Sequence, residues 1–307
     1  MKKIYLLAII AFTTILLILF VFYNRYRTYY EDEKVDFYIS KNIDILNDNL
    51  NFEKQYALSL SLFISQNQII KKSLHVNNQS LALGEIDKFL KNIKSSTGID
   101  NIDIQVHTKE LKAFARNWDK NDYFGLDLSG FRKGLVEVKK NKKSLVSIEL
   151  GKRLNIKAIS PILDNNKNFI GSIEIIMDFK NIGKRLKKFD LEMLPLLDEK
   201  YIDIAVYLKN NQKIDRYFIT QSNYSKKLYD KLKNHEYIFN KNKFYYEIDD
   251  KIIVFVPMLS VGIKDVGFIV LCMNAKQNKI NMYFTADVEQ ENSNYKFNQK
   301  KRKVVIK

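Results

Sequence analysis

Residues 155–163 read NIKAISPIL and residues 169–177 read FIGSIEIIM, and these two runs decide the fold. Each run is short, rich in β-branched residues and bounded by polar residues, which is typical of a β-strand. Between them, residues 164–168 read DNNKN, and these residue types favour a tight turn. We therefore predict an antiparallel hairpin that is formed by the two runs.

The same hairpin pattern occurs a second time in the chain. Residues 251–259 read KIIVFVPML and residues 266–273 read VGFIVLCM. When the two copies are aligned without a gap, a proline, a glycine and a methionine coincide: Pro161 with Pro257, Gly171 with Gly267, and Met177 with Met273. The repetition, together with the shared apolar alternation, predicts two copies of one sheet unit.

Further strand-like runs complete two antiparallel sheets. In the first copy we predict strands at residues 102–107, 112–116, 144–150, 155–163 and 169–178, and in the second copy additional strands at residues 200–208 and 239–248. The polar and aromatic stretch Asn117–Lys143 is predicted to be a loop with a short helix from Leu128 to Val138, capped by Asp127. The resulting fold class is α+β, with helices on one side of each sheet, as in PAS-like domains.

The N-terminal end of the chain has the properties of a membrane anchor. Ile4–Tyr23 contains no charged residue and is long enough to cross a bilayer as a helix. No Ala-x-Ala cleavage site follows it, so we predict an uncleaved, single-pass signal anchor. The short tail at residues 1–3 is expected in the cytoplasm and the bulk of the chain outside it.

A long stalk helix is predicted after the anchor, over residues 24–80. Apolar residues form two rows at heptad spacing, interrupted by the single polar residue Glu53: Ile39, Leu46 and Leu60 in one row, and Ile43, Leu50, Ala57 and Ile64 in the other. Such a helix either packs on its own domain or also pairs with a second copy as a homodimer. A further helix at residues 83–95 is expected to end before Gly98.

Composition and motifs exclude several classes of function. The net charge of +16 comes mostly from scattered lysines without an arginine-rich stripe, so we predict a solvated surface and no nucleic-acid partner. The one cysteine, Cys272, rules out an internal disulfide, and the three histidines are too far apart to suggest a metal site. Residues 125–130 read GLDLSG but Phe-Arg follows, unlike a P-loop. We predict that the protein is not an enzyme and uses no cofactor.

Polar residues within the first copy predict a binding site for a small anion or amino acid. Arg116 and Arg132 offer planar forks that can grip a carboxylate. The other candidates are the aromatic walls and the remaining charged or titratable residues of the same region: Trp118, Tyr123, Glu149, Lys157 and His107. The alternatives are a structural Arg132–Glu149 ion pair, a core position for Trp118 and a hydrogen-bonded strand end for His107. An exposed position is expected for Glu174.

An ordered set of short motifs in the first copy resembles one branch of the double Cache family, the tandem PAS-like extracytoplasmic sensors of bacterial chemoreceptors and sensor histidine kinases. These motifs are His107-Thr108, Arg116-Asn-Trp118, Phe131-Arg132, Ile148-Glu149-Leu-Gly151, Ser160-Pro-Ile162 and Gly171-Ser-Ile-Glu174. One departure is Lys157, which stands where relatives often have arginine and keeps the charge but loses the bidentate fork.

The resemblance implies a membrane helix and stalk followed by two Cache domains, in the inner membrane with the bulk of the chain in the periplasm. The implied order is 1–3 cytoplasmic tail, 4–23 anchor, 24–80 stalk, 81–185 membrane-distal ligand-binding domain, 186–278 membrane-proximal domain and 279–307 basic polar tail. No second membrane helix or output region is recognised in the sequence, so a histidine kinase or chemoreceptor is expected as a separate partner. The alternative is a non-sensing scaffold or a degenerate receptor remnant.

Overall fold

The computed structural model describes residues 2–118, 123–240 and 243–275, without the side chains of residues 2–4, 6–10, 31, 263 and 264. Described residues before Ile45 belong to one compact unit, and Ile45–Asn274 form a second. The predicted basic tail, residues 279–307, lies outside the described residues.

The helices are α1 Lys2–Ser65, α2 Gln68–His75, α3 Gln79–Thr97, α4 Lys133–Asn141, α5 Lys180–Leu186 and α6 Lys226–Lys233. The strands are β1 Ile102–Thr108, β2 Ala113–Arg116, β3 Leu145–Leu150, β4 Leu154–Leu163, β5 Phe169–Met177, β6 Glu192–Asp198, β7 Lys213–Ile214, β8 Tyr217–Ile219, β9 Tyr245–Ile248, β10 Lys251–Ser260 and β11 Ile263–Asn274.

Among the residues whose placement is described, no helix is both long and apolar enough to cross a membrane. The span predicted at Ile4–Tyr23 is therefore not supported. Residues 4 and 6–10 of that stretch lie outside the described side chains.

The predicted stalk helix is shorter at its C-terminal end than expected. α1 ends at Ser65, and the Asn67 side chain accepts hydrogen bonds from the backbone N–H groups of Ile69 and Ile70. This cap satisfies N–H groups that have no partner inside a helix, so it starts the separate helix α2. α3 ends as predicted before Gly98, which adopts the left-handed conformation with φ 69°.

The apolar rows of α1 within the second compact unit are covered by the chain itself. Leu46, Leu50, Ala57 and Ile64 are buried, in agreement with packing of the helix on its own domain. Glu53 is also buried, and its carboxylate pairs with the Arg185 guanidinium at 2.6 Å. Pairing of two copies through α1 stays a prediction.

The first sheet has the strand order β2-β1-β5-β4-β3, and all of its pairings are antiparallel. Its five strands agree with the predicted runs within two residues at each end. The helix predicted from Leu128 begins instead at Lys133, because Asp127 accepts hydrogen bonds from the Ser129 backbone and hydroxyl and forms a local turn.

The second sheet has the order β7-β8-β6-β11-β10-β9, and its β10–β11 hairpin repeats the register of β4–β5. Gly171 lies opposite Ile162, and Gly267 lies opposite Met258 at the aligned position. The predicted repeat of the hairpin is therefore confirmed. The strand predicted at residues 200–208 is wrong.

That segment forms 3-10 turns at Glu199–Tyr201 and Val206–Leu208, and the strand that pairs with β11 is instead the preceding strand β6. The Asp198 side chain accepts a hydrogen bond from the Lys200 N–H and so ends the strand. Of the run predicted at 239–248, the described residues 239 and 240 belong to the helical turn Glu236–Asn240, and Tyr245–Ile248 form strand β9.

Both sheets lie within the same compact unit and are joined directly. The Leu150 N–H donates to the Ser260 hydroxyl at 3.0 Å, and the Lys133 ammonium donates to the Gly262 carbonyl. The boundary predicted between residues 185 and 186 stays a prediction.

Candidate functional site

The two faces of the first sheet differ in polarity. Side chains alternate between the faces of a strand, so Ile104 and Val106 of β1 lie on one face, while Asp103, Gln105 and His107 lie on the other. Ile104 and Val106 are fully buried. The strand register extends the polar face across the sheet, with Gln105 opposite both Arg116 of β2 and Glu174 of β5. Charged groups from several strands therefore meet on this face.

A buried ion cluster occupies the centre of the polar face. Arg132, just before α4, donates from Nε to Glu149 Oε1 at 3.0 Å and from its two terminal nitrogens to both carboxylate oxygens of Glu174. Burial by itself would lower the pKa of Arg132, but the two carboxylates outweigh it and raise that pKa. The predicted structural ion pair between Arg132 and Glu149 is present. The exposed position expected for Glu174 is wrong, because that side chain is completely buried.

Lys157 is a buried cation beside this cluster. Its side chain is 4% exposed, and within the described part of the chain its ammonium has no hydrogen bond or ion pair. Burial, followed by repulsion from Arg132, lowers the pKa of Lys157 to about 8. Gln105 is also buried, and its amide Nε2 has no hydrogen-bond partner among the described residues. The Gln105 amide is therefore an unsatisfied buried donor on the same face as the Lys157 ammonium.

Arg116 is held by the two aromatic residues that were predicted to accompany it. Its guanidinium lies 4.3 Å from the ring centre of Tyr123 and 5.3 Å from that of Trp118, both within the range of a cation–π interaction. The Tyr123 hydroxyl accepts hydrogen bonds from the Arg116 N–H and from Gln79 Nε2. Tyr123 is thus a buried support behind Arg116.

His107 is a buried strand residue, which agrees with the second of its two sequence interpretations. Its Nδ1 is 3.0 Å from the Ser172 hydroxyl, and its Nε2 is 3.7 Å from Glu174. Burial lowers the pKa of His107 to about 4, so the ring is neutral at pH 7.

A cavity opens above the polar face and offers about 70 Å³ to the centres of water-sized molecules. One water molecule needs about 10–15 Å³ on this measure, so the space suits a small metabolite. Its charged lining consists of five cations and one carboxylate: Arg116, Arg132, Lys152, Arg153, Lys157 and Asp103. The apolar lining comes from Trp118, Leu126, Leu128, Phe131 and Ile176. This composition suits an anion with an apolar part.

Four of the seven predicted site residues line the cavity: Arg116, Trp118, Arg132 and Lys157. Glu149, Tyr123 and His107 are adjacent supports that do not line it. The sequence reasoning missed Asp103 and Gln105, whose signal is their alternation with isoleucine and valine in β1. It also missed Tyr207, which belongs to the segment between β6 and β7 and carries no local signal. Direct contact of any of these residues with a ligand stays a prediction.

Among the described residues, no group of His, Cys, Asp and Glu side chains is arranged to hold a metal ion. The cations on the cavity wall would moreover repel one. The arrangement can bind and orient an anion.

The chain matches the family described as the double sensory domain of two-component sensor kinases, over residues 37–193. This match covers half of the chain and includes the whole first sheet and every cavity-lining residue except Tyr207. The protein therefore belongs to the double Cache family of sensory domains. No curated protein matches the chain significantly.

Several solved structures are similar to the chain at low sequence identity. The sensor domain of the V. cholerae histidine kinase DctB is 10% identical, with a TM-score of 0.46, covering 76% of this chain and 95% of that one. The periplasmic domain of V. cholerae LuxQ is 9% identical, with a TM-score of 0.45, covering 76% and 99%. The ligand-binding domain of the Campylobacter jejuni chemoreceptor Tlp3, in complex with L-valine, is 13% identical, with a TM-score of 0.40, covering 81% and 97%.

Proposed function

We propose that the protein is an anchored extracytoplasmic sensor that binds a small carboxylate or amino acid over the polar face of the first sheet. The observation that carries the proposal is Lys157, a buried ammonium without an ion pair among the described residues, on the wall of a cavity. Membership of a family of sensory domains supports the same conclusion.

Physical chemistry supports an anionic ligand at this position. An ammonium that leaves water loses its hydration, and the loss is offset only by a partner of opposite charge. Glu149 and Glu174 attract the Lys157 ammonium, but their hydrogen bonds are made with Arg132, through Glu149 Oε1 and both oxygens of Glu174. A ligand carboxylate would therefore complete the pairing of Lys157. It would also accept a hydrogen bond from Gln105.

Anchoring in the membrane is part of the proposal and rests on the sequence and on exposure. Ile4–Tyr23 carries no charge, and the side chains from Ala11 to Tyr23 are exposed on all sides of α1. A helix that is apolar all round is unfavourable in water, whereas lipid tails would cover such a surface. The receiving partner is proposed to be a histidine kinase or chemoreceptor, to be identified by cross-linking in cells.

Lys157→Met is expected to abolish ligand binding while the fold is retained. A ligand at 100 times its Kd stabilises the folded state by about 2.7 kcal/mol. The test is thermal shift of the detergent-solubilised full chain against panels of mono- and dicarboxylates, amino acids, amines and sugars. An acid or amino acid should raise the Tm of the wild type and leave the Tm of Lys157→Met unchanged.

Lys140→Met is the matched control, because Lys140 is an exposed lysine on α4. It should respond to the ligand like the wild type. If no panel compound shifts the Tm of the wild type, the sensor proposal fails and the scaffold alternative gains. If Lys157→Met binds as tightly as the wild type, the assignment of Lys157 is wrong.

Anion affinity is expected to be constant below pH 8 and to fall above it. The pKa of Lys157 is lowered to about 8, so its charge is lost as the pH rises through that value. Each further pH unit should weaken binding by up to about tenfold, until the pKa of the bound state is passed. Lys157→Arg should abolish the decline, because a guanidinium remains charged. Fluorescence titration at Trp118, the only tryptophan, measures both proteins between pH 6.5 and 10.

The same pKa shift affects stability in the absence of a ligand, with the opposite sign. The folded-state pKa of Lys157 lies below the ordinary value of 10.5, so the unfolded chain binds more protons between these values. The contribution of Lys157 to stability should therefore increase as the pH rises from 8 to 10.5.

A further inference from the structure

Tyr207 reaches the cavity from the other half of the chain. It lies in the 3-10 turn Val206–Leu208, between strands β6 and β7 of the second sheet. Its side chain nevertheless lines the cavity above the first sheet. The neighbouring residues Ala205 and Leu208 are buried, so the turn itself is fixed by packing. Tyr207 thus brings a residue of the second sheet into the proposed binding site.

Three contacts hold Tyr207 against the β3–β4 turn. Its backbone N–H donates to the Lys152 carbonyl at 3.1 Å. The Lys152 ammonium lies 5.2 Å from the centre of the Tyr207 ring, and the Arg153 guanidinium lies 5.4 Å from it. Because Lys152 and Arg153 also line the cavity, the ring and the two cations form one continuous part of its lining, and the Tyr207 side chain is 38% exposed to solvent.

We infer that Tyr207 is a gate that closes the mouth of the cavity and limits the size of the ligand that can enter. The inference rests on the proposed function and extends it to a residue of the second sheet. A phenol ring is large and rigid, so it covers an opening at a small loss of conformational entropy. The two cations next to the ring, Lys152 and Arg153, present positive charge to an entering anion.

The two cation–π contacts of the Tyr207 ring are individually weak. A cation–π contact at an exposed site contributes about 0.5–1 kcal/mol, so the two contacts together correspond to only a few multiples of the thermal energy. An anion that pairs with Lys152 or Arg153 competes with the ring for the same cation. Entry of the ligand would therefore loosen the ring, and closure over the bound ligand would tie the second sheet to the occupied first sheet.

Acrylamide quenching of Trp118 fluorescence tests the gate without any knowledge of the ligand. Acrylamide is neutral, and Trp118 is the single tryptophan and lines the cavity. In the full-length chain in detergent, Tyr207→Ala should raise the quenching constant by about twofold, because removal of an aromatic ring uncovers a large area. Tyr207→Phe keeps the ring and should match the wild type.

Two further variants separate gating from a general loss of structure. Tyr201 belongs to the same segment, and the Lys200 ammonium lies over its ring, but Tyr201 does not line the cavity. Tyr201→Ala is therefore the control for loss of a tyrosine from this segment. It should leave quenching unchanged. Lys152→Met combined with Arg153→Met releases the ring and should raise quenching, although less than Tyr207→Ala.

The outcomes distinguish the gate from the proposed function. Equal quenching in Tyr207→Ala and the wild type would overturn the gate, whatever the metabolite panels show. Equal increases in Tyr207→Ala and Tyr201→Ala would overturn it as well, since loosening of the segment would then explain both. A panel without any ligand would overturn the sensor proposal and leave the quenching result intact.

Discussion

Glu174→Ala is expected to lower the free energy of unfolding by about 3–5 kcal/mol, which is the usual effect of removing one partner of a buried ion pair. Both oxygens of Glu174 accept hydrogen bonds from the Arg132 guanidinium, and both side chains are buried. The substitution leaves two neighbouring buried cations, Arg132 and Lys157, with Glu149 as the remaining carboxylate of the cluster. Urea denaturation monitored by Trp118 fluorescence measures the loss.

Glu110→Ala is the matched control for this prediction. Glu110 is half exposed and forms an ion pair with the exposed Lys109 at 3.8 Å. Exposed pairs of this kind contribute about 0–1 kcal/mol. Glu174→Gln keeps the shape of the side chain but not its charge, and should give an intermediate loss. A loss below 1 kcal/mol in Glu174→Ala would show that the cluster is hydrated rather than buried.

Gly267→Ala is expected to destabilise the second sheet by about 3 kcal/mol, at the upper end of the range for overpacking. A Cβ atom at this position would lie 1.9 Å from the carbonyl oxygen of Leu196, on the paired strand β6. Backbone atoms of a paired strand cannot move aside as a flexible side chain would. The glycine also has φ 156°, which side-chain-bearing residues rarely adopt.

Gly84→Ala is the matched control, because Gly84 is exposed in α3 and a Cβ there would meet nothing within 4 Å. Alanine is favoured over glycine inside a helix by about 0.5–1 kcal/mol, so this variant should be more stable than the wild type. Thermal unfolding of both variants measures the contrast. A Gly267→Ala protein as stable as the wild type would contradict the close approach of β11 to β6.

The strands of the first sheet could be predicted because their apolar alternation is regular and their turns have characteristic residues. The 200–208 segment has comparable apolar content, yet it folds into 3-10 turns because Asp198 caps it. Similarly, one asparagine side chain at position 67 divides the predicted stalk. Local side-chain hydrogen bonds decided these boundaries, and hydrophobic periodicity does not record them.

The site was predictable only as a set of residue types. Arg116, Trp118, Arg132 and Lys157 were recognised and line the cavity, but the sequence does not specify which strands are neighbours. The order β1-β5-β4 places Gln105 and Glu174 side by side. Because β5 lies between two other strands, the Glu174 side chain is part of the buried cluster, whereas the sequence predicted an exposed position. Tyr207 enters through contact between the two sheets, which no local pattern encodes.

The shared register of the two hairpins has a consequence for the balance between stability and function. At the positions aligned with Lys157 and Glu174, the second sheet has Ile253 and Val270, and both are packed in an apolar core. Apolar residues of similar volume are often as stabilising as a buried ion pair, or more so. At these two positions the second sheet thus contributes to an apolar core, where the first sheet carries charge. The first sheet has the charged residues Lys157 and Glu174 at these positions, although apolar residues would stabilise the fold as well or better. This is expected where selection acts on ligand recognition rather than on stability.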